Sequence, residues 1–448
     1  MKENKYFKGN VESGWGNLQN IKSLIVSPSH RPLDGEISVP GSKSLTNRAL
    51  ILGAMAEGTS NLKGILKSDD SYWCVESLKS LGVSIKIKGN DAEVAGGSTN
   101  FNNGEIYVGS AGTAARFLPG FLAAAGKGEW KLTASDNMKK RPIGPLIQTL
   151  YELGADIQYL EKENHYPILI KGKHLSGGEV KMSGDVSSQF ISGLLMAAPR
   201  FKSPLIIRTD GGIVQKNYVK MTLELMKEFG AVVEFDDNLE WMKVIPSAYS
   251  ANDIKIEADI SAACYFMALA AVTGGRIKIN NIDWRTKQPD IGMLEIFEEM
   301  GCIVIKADDY IELRGPAQLK GGFEVSLKEM SDQALTLAVT AIFSDGPVIV
   351  KNVGHIRHHE SDRLKVICLS MKKIGINVQV FDDGFKIYPG RPSPSALDTY
   401  DDHRVAMSLA LIGTKIPGVK LNDPGCVSKT FPEYFSVLKN LGIEIENK

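Results

Sequence analysis

The chain is poor in most of the features that would mark it for a special environment or chemistry. Its 448 residues include five cysteines (Cys74, Cys264, Cys302, Cys368 and Cys426), odd in number, widely spaced and without a CxxC pair. Neither a disulfide framework nor a zinc site is therefore expected, and they read as small buried apolar filler. Charge of one sign is not in excess, because Lys+Arg and Asp+Glu number 52 each. That balance leaves no global field to recruit nucleic acid or an anionic membrane, so any anion must be held by locally placed cations. No segment is apolar for long enough to span a bilayer, and the opening MKENKYFKGN lacks the apolar core of a signal peptide, which gives a cytoplasmic expectation. No GxGxxG follows a strand, so a dinucleotide fold has no support. PGSKS resembles a nucleotide phosphate loop, but Ser42 separates Gly41 from Lys43 and the GxxxxGK[ST] spacing is not met.

What is present is the composition of an ordinary globular protein, 43% hydrophobic and 23% charged, in a chain long enough to expect two domains. One pattern recurs along it: an amphipathic helix ending in a large apolar residue, a glycine, then an alternating strand. It appears as SLKSLGVSIKI at Gly82, TLYELGADIQY at Gly154, LMKEFGAVVEF at Gly230, FEEMGCIVIKA at Gly301, SMKKIGINVQV at Gly375 and VLKNLGIEIEN at Gly442. Glycine suits a helix C-terminus, where the chain turns through a left-handed conformation. Doublets such as Gly89-Asn90, Asp236-Asp237, Asp308-Asp309 and Asp382-Asp383 then punctuate hairpins. Six copies at roughly 70-residue spacing imply one supersecondary unit used six times.

Helix–Gly–strand is a common arrangement, so a second recurrence carries weight. Each unit also holds a much more apolar helix with a polar start: SKSLTNRALILGAMAEG, SAGTAARFLPGFLAAAGKG, DVSSQFISGLLMAAP, DISAACYFMALAAVTGG, SDQALTLAVTAIFSDG and DDHRVAMSLALIG. Helices apolar nearly all round are expected to be buried, with the amphipathic partner outside. Three per half predict two domains of three units.

The starts of these helices carry Lys43, Ser44, Arg48, Ser110, Thr113, Arg116, Ser187, Ser188, Gln189, Asp259, Asp332, His403 and Arg404. Serine and aspartate there are explained as N-caps, and Asp259 is read so. Lysine or arginine in a first turn opposes the helix dipole by a few tenths of a kcal/mol up to about 1. Lys43, Arg116 and Arg404 are placed there, and a bound anion reverses the sign. Ser44 and Arg48, four apart, are positioned to clamp one phosphate. The stretch GHIRHHESDRLKV packs His355, Arg357, His358, His359, Glu360, Asp362 and Arg363 before a helix. Its HHE lacks HExxH spacing, so a metal is not expected. A carboxylate among cations suits acid–base work on an anionic substrate.

PGSKSLTNRAL, SAGTAARFL, KKRPIGPL, SSQF, SDQALT, HESDRL, DDHRVAM and SKTFPEYF occur in an order that resembles the 5-enolpyruvylshikimate-3-phosphate synthases, from about Arg31 to the C-terminus. The resemblance implies an α/β (α+β) fold, a two-domain inside-out α/β barrel. Its six βαβαββ repeats would divide three per domain, the buried-helix N-termini facing an interdomain cleft. It implies an N-terminal extension and strand at 1–38 joining the second domain, a first domain at 39–256 and a second at 257–448. The activity implied is transfer of the enolpyruvyl group of phosphoenolpyruvate to the 5-hydroxyl of shikimate 3-phosphate with release of phosphate, in aromatic amino-acid biosynthesis. The resemblance implies a monomer needing no metal or cofactor.

By the same resemblance, shikimate 3-phosphate would be held by Lys43, Ser44, Arg48, Ser187, Ser188, Gln189, Tyr218, Asp332, His355 and His359. Phosphoenolpyruvate would be held by Lys43, Ser110, Gly112, Arg141, Gln189, Arg363, Arg404 and Lys429. Asp332 would take the hydroxyl proton, Glu360 would protonate the methylene carbon, and Lys43 would reach both substrates. Ser110 stands where Asn is usual, His355 and His359 where Asn and Lys are frequent, and Gln215 replaces a Ser. His359 is expected to supply cationic help that fades as pH rises through its titration. UDP-N-acetylglucosamine enolpyruvyl transferase is the nearest alternative, but its reactive loop cysteine is missing between Ala124 and Arg141. A non-catalytic sensor of shikimate phosphate is the alternative from another class, disfavoured by the presence of both Asp332 and Glu360.

Overall fold

The computed structural model describes residues 13–16, 21–98, 100–210 and 212–448; positions 1–12 and 17–20 of the expected N-terminal extension lie outside the described residues. The chain divides into two compact units. Among the described residues, one comprises Gly41–Ile256 with 13–15, the other Gly16 and 21–40 with Glu257–Lys448. Ser13 donates from its backbone N–H (3.0 Å) to the Asp69 carboxylate, and Trp15 sits edge-on to Tyr72 at 5.5 Å, so this stretch packs on the first unit. Ser23–Ser27 and Asp34–Ile37 are strands of the second.

Among the described residues the units hold three four-stranded sheets each, and all six obey one pairing rule: a parallel pair followed by two antiparallel neighbours. Gly104–Tyr107, for example, runs parallel to Glu129–Thr133, which pairs antiparallel with Ile168–Lys171, itself antiparallel to Asp156–Tyr159. Chain order and spatial order together give a βαβαββ unit. Three sheets are completed by strands remote in sequence. Asp253–Lys255 pairs with Gly58–Lys63, Asp34–Ile37 with Arg276–Ile279, and Ser23–Ser27 lies between Val419–Asn422 and Glu444–Asn447.

The repeated glycine does what its position predicts. Gly82, Gly154, Gly230, Gly301, Gly375 and Gly442 all have φ between +80° and +93°. In each, the following residue's N–H reaches the carbonyl five positions back, as Val83 does to Leu78 (3.1 Å) and Ile443 to Leu438 (3.1 Å). Each outer helix is thereby stopped and aimed into a strand. The hairpin doublets also fall between paired strands, Gly89-Asn90 between Ser84–Lys88 and Asp91–Gly96.

The apolar helices form the cores. In the first unit these are Lys43–Met55, Gly112–Ala123 and Ser188–Ala197; in the second, Ile260–Thr273, Ala334–Ala341 and His403–Gly413. Each unit has its own continuous apolar cluster around them. Pro119 lies inside Gly112–Ala123 and has no N–H for the Ala115 carbonyl. The buried Tyr166 hydroxyl donates to that carbonyl at 2.5 Å instead, so the helix continues with no orphaned acceptor.

Gly112–Ala123 and Ser188–Ala197 approach so closely that a Cβ on Gly193 would lie 2.3 Å from the Arg116 carbonyl oxygen and 3.3 Å from the Phe117 Cα. Backbone cannot yield as a flexible side chain does. Gly193→Ala is expected to destabilise the protein by about 1–3 kcal/mol through overpacking. Equilibrium urea unfolding measures it, and an unchanged midpoint would show that the two helices part without cost.

Candidate active site

In the first unit, two of the three buried helices begin without a side-chain cap. Ser42 and Ala111 precede Lys43–Met55 and Gly112–Ala123, and neither supplies one. First-turn N–H groups left in this state, together with the dipole, favour an anion. Lys43 occupies the first of these turns and its Nζ lies 3.5 Å from the buried Asp70 carboxylate. Gly112 opens the second, and the Arg141 guanidinium lies over it. A Cβ added at Gly112 would come within 3.3 Å of Arg141 Nη1 and 3.7 Å of Arg116 Nη1. Ser110 Oγ is 3.1 Å from Ser135 Oγ, itself the cap of the Asp136–Lys139 turn. Because the helix starts at Gly112, Arg116 sits in its second turn rather than the first. It reaches back to the Gly112 carbonyl (3.4 Å) and to Met138 Sδ (2.8 Å).

The third helix is capped by Ser187, whose hydroxyl accepts from the Gln189 N–H at 3.3 Å. Ser188 is buried, and Gln189 Oε1 is buried without a donor among the described residues. Arg48 is 1% exposed. It donates to Thr222 Oγ1 (2.7 Å), Ser192 Oγ (3.4 Å) and the carbonyls of Ser44 (3.0 Å) and Tyr218 (3.2 Å). Ser44 and Arg48 thus share a backbone contact, and the guanidinium ties three helices. It also lies over the rings of Phe117 and Tyr218, 5.1 and 5.9 Å from their centroids. Burial pushes the Arg48 pKa down to about 10, still well above neutrality. Gln215 adopts a left-handed conformation, φ 52°, before Lys216–Glu228.

The second unit gathers charges of both signs around Arg363, which is 1% exposed at the start of Arg363–Lys373. Its Nη1 donates to Asp332 Oδ1 (2.9 Å), Nη2 to Glu360 Oε2 (2.9 Å), and Nε to Asp402 Oδ2 (2.9 Å). Arg404 Nη2 takes the other Asp332 oxygen at 2.9 Å, and Lys429 Nζ the other Glu360 oxygen at 3.1 Å. Two carboxylates are therefore bridged by one guanidinium, and each has a second cation. Burial alone would lower the Arg363 pKa, but Asp402, Glu360 and Asp332 outweigh it and raise it. Asp259 caps its helix by accepting from Ala262 N–H at 2.9 Å.

The expected cationic role of His359 does not hold. Burial, then the Arg363 charge, holds its pKa well below the usual histidine range. Arg363 Nη1 also approaches His359 Nδ1 at 3.1 Å, so as the donor it finds an acceptor there and the ring is neutral. His355, 2.7 Å from Ser331 Oγ through Nε2, is pushed down to about 4 by burial. Both shifts favour the neutral rings at neutral pH, so no cationic help is there to fade as pH rises.

Two carboxylates of these clusters, Asp70 and Asp402, escape sequence reasoning, as does the buried Asp290 that bonds Gln333 beside Asp332. Asp70 belongs to an acidic doublet that reads as ordinary first-turn capping. Asp402 stands inside DDHRVAM, where the motif itself was the available signal. Its side chain is fully buried and takes Arg363 as well as the Arg404 N–H (3.0 Å). Asp290 has no motif to announce it.

Comparison with known proteins agrees over nearly the whole chain. The family model described as EPSP synthase (3-phosphoshikimate 1-carboxyvinyltransferase) matches residues 28–438. The 3-phosphoshikimate 1-carboxyvinyltransferase 2 of Halalkalibacterium halodurans is 53% identical over 441 residues, covering 98% of this chain and 99% of that protein. A 3-phosphoshikimate 1-carboxyvinyltransferase of Trichormus variabilis is 39% identical, covering 93% and 98%. A solved EPSP synthase from Acinetobacter baumannii superimposes with a TM-score of 0.79 over 95% of this chain and 99% of that one; at 24% identity it speaks to the fold alone.

The depressed histidines fix a sign for acid stability. As pH falls below about 6.5, the unfolded chain binds a proton at each histidine that the folded chain refuses, so stability present at higher pH is lost toward pH 4 at up to about 1.4 kcal/mol per pH unit per histidine. His355→Asn removes one such group. Its melting temperature is expected to fall less between pH 6.5 and 5 than that of the unsubstituted protein; identical slopes would exclude His355 as a contributor.

Proposed function

The chain belongs to the EPSP synthase family, and from that membership we propose that it transfers the enolpyruvyl group of phosphoenolpyruvate to the 5-hydroxyl of shikimate 3-phosphate and releases phosphate. The observation that carries this reading is the double bridge of Asp332 and Glu360 by Arg363, with Arg404 and Lys429 on their far oxygens. The reaction asks for two carboxylates in different protonation states among cations that receive an anionic substrate.

Shikimate 3-phosphate is held by Lys43, Ser44, Arg48, Ser187, Ser188, Gln189, Tyr218, Asp332, His355 and His359. Phosphoenolpyruvate is held by Lys43, Ser110, Gly112, Arg141, Gln189, Arg363, Arg404 and Lys429. Glu360 gives a proton to the methylene carbon, which leaves an oxocarbenium-like centre. The 5-hydroxyl attacks that centre while Asp332 accepts its proton, and a tetrahedral intermediate results. Phosphate leaves, and the carbon proton is returned to form the enol ether. The charge on the departing phosphate is met by cations such as Lys43, Arg141 and Lys429. The substrate's own carboxylate and phosphate compete with Glu360 for Arg363 and Lys429. The chemistry requires no metal or organic cofactor, and we place it in a monomeric cytoplasmic enzyme. Among the described residues no helix is long and apolar enough to cross a membrane.

The test is phosphate release from phosphoenolpyruvate with shikimate 3-phosphate or UDP-N-acetylglucosamine offered separately. Release with the first alone is expected; release with the second would replace this reading by that of the UDP-sugar transferases. Glu360→Gln should lower kcat by about 10²–10⁴-fold, the contribution of a positioned acid, while shikimate 3-phosphate binding persists. A protein whose only task is to sense the ligand would have no turnover to lose.

A further inference from the structure

Asp290 lies in the single turn Pro289–Gly292, is 1% exposed and belongs to none of the roles above. A carboxylate so placed is costly to ionise unless its lone pairs are met. Its Oδ2 accepts from the Ser261 hydroxyl and from Gln333 Nε2, the latter at 2.8 Å. Ser261 stands in the first turn of Ile260–Thr273, whose dipole favours a negative charge at that end. Burial still pushes the Asp290 carboxyl up to about 6; Arg404 pulls it down and Asp332 pushes it up, so Asp290 stands within electrostatic reach of both.

Gln333 is the residue next to Asp332, and both belong to the three-residue turn Ser331–Gln333. So short an element has two backbone closures, Gln333 N–H to the Met330 carbonyl at 2.9 Å and Ala334 N–H to the Ser331 carbonyl, and limited intrinsic stiffness. It runs directly into Ala334–Ala341, and side chains add to that hold. The Gln333 amide is pinned at both ends: Nε2 on Asp290, and Oε1 accepting from Thr336 Oγ1 at 3.0 Å. On the other flank Ser331 Oγ meets His355 Nε2 at 2.7 Å. Below, a Cβ on Gly292 would touch Met330 Cε at 3.1 Å, so the turn bearing Asp290 packs directly on the residue that leads into Ser331.

We propose that Asp290 is a positioning residue: by gripping Gln333 it holds the Ser331–Gln333 turn in the geometry that presents Asp332 to Arg363, Arg404 and the reacting hydroxyl. This rests on the reading of Asp332 as the proton acceptor. Asp290 touches no substrate; loss of its grip lets the turn shift while the cations that bind substrate stay where they are. The signature is therefore a fall in kcat without a matching rise in KM.

The experiment measures kcat, both KM values and the melting temperature for Asp290→Ala, Asp290→Asn, Gln333→Met and the double variant Asp290→Ala/Gln333→Met, with Asp332→Ala as reference. Asp290→Ala should lower kcat by about 10–100-fold, the scale of a misplaced reacting group, with both KM values within about threefold. Asp290→Asn keeps an oxygen at the Oδ2 position to accept from both Gln333 and Ser261, so it should return kcat to within about threefold of the unsubstituted enzyme. Gln333→Met should lose as much as Asp290→Ala, and the double variant no more than either alone. An unchanged kcat in Asp290→Ala, equal losses in the Ala and Asn variants, or multiplying losses in the double variant would each overturn the proposal. If Asp290→Ala does not fold, Gln333→Met with intact kcat overturns it equally, and a selective kcat loss rescued by no KM change supports it. An Asp332→Ala protein that turns over normally would remove the parent reading as well; an inactive one beside a fully active Asp290→Ala removes this inference alone.

Discussion

A guanidinium taken almost wholly out of water has to be surrounded by acceptors, and in the second unit that requirement organises everything near Arg363. Burial opposes its charge, yet Asp402, Glu360 and Asp332 outweigh the opposition. Each of the three carboxylates is at hydrogen-bonding distance from a different nitrogen, so the planar fork fixes their directions relative to one another. Asp402 is the structural third of this set: fully buried, it also caps its own helix on the Arg404 N–H, which orients Arg404 toward Asp332. The remaining two carboxylates stand less deeply buried, 17% and 13% exposed at the side chain, and each is shared with a second cation. Breaking one such buried pair typically costs about 3–5 kcal/mol, so the arrangement holds together as a block.

Arg48 meets the same requirement in the first unit by different means. Its recorded partners are hydroxyls, backbone carbonyls and aromatic faces. These satisfy its N–H groups without cancelling its charge, and burial lowers its pKa only to about 10. A cation solvated by neutral dipoles keeps a net field, whereas Arg363 is over-matched by carboxylates. The two buried arginines therefore serve opposite ends: one favours an incoming anion, the other holds two acids in place. The uncapped starts at Lys43 and Gly112 add to the first effect, since helix N–H groups act as fixed partial positive charge.

Much of this is legible in the sequence because its signals are local. A glycine after an amphipathic helix announces a left-handed turn whatever surrounds it, and the six outer helices end as read. The apolar helices are buried for the reason their composition gives. What escapes is whatever depends on distance. Asp253–Lys255 has three residues and finds its partner at Asn61–Lys63, far back along the chain, so no periodicity could reveal that it completes a sheet. Arg116 falls one turn later than its sequence suggests because Ala111 is not a capping residue and leaves the helix start unmarked. The charge state of His359 depends on burial beside Arg363, and a string of letters shows neither. Asp290 looks like an ordinary turn residue until Gln333 is found against it.

The carboxylates of the second unit are carried by poor scaffolds. Asp332 sits in a three-residue turn, and Glu360 follows the short Gly354–His358 turn, ahead of the helix that starts at Arg363. Such short pieces depend on their neighbours for precise placement, and Ser331–Gln333 leads directly into Ala334–Ala341. Long helices supply that precision at one remove: Thr336 of Ala334–Ala341 and Ser261 of Ile260–Thr273 reach into the Asp290–Gln333 pair. His355 bonds Ser331 as a neutral ring, a role that asks for a hydrogen-bonding atom rather than a charge. This explains why histidine is tolerable there at all. Burial that strips His355 of its proton leaves its ring nitrogens intact as partners, so histidine in place of asparagine retains the tether to Ser331 and gives up no charge.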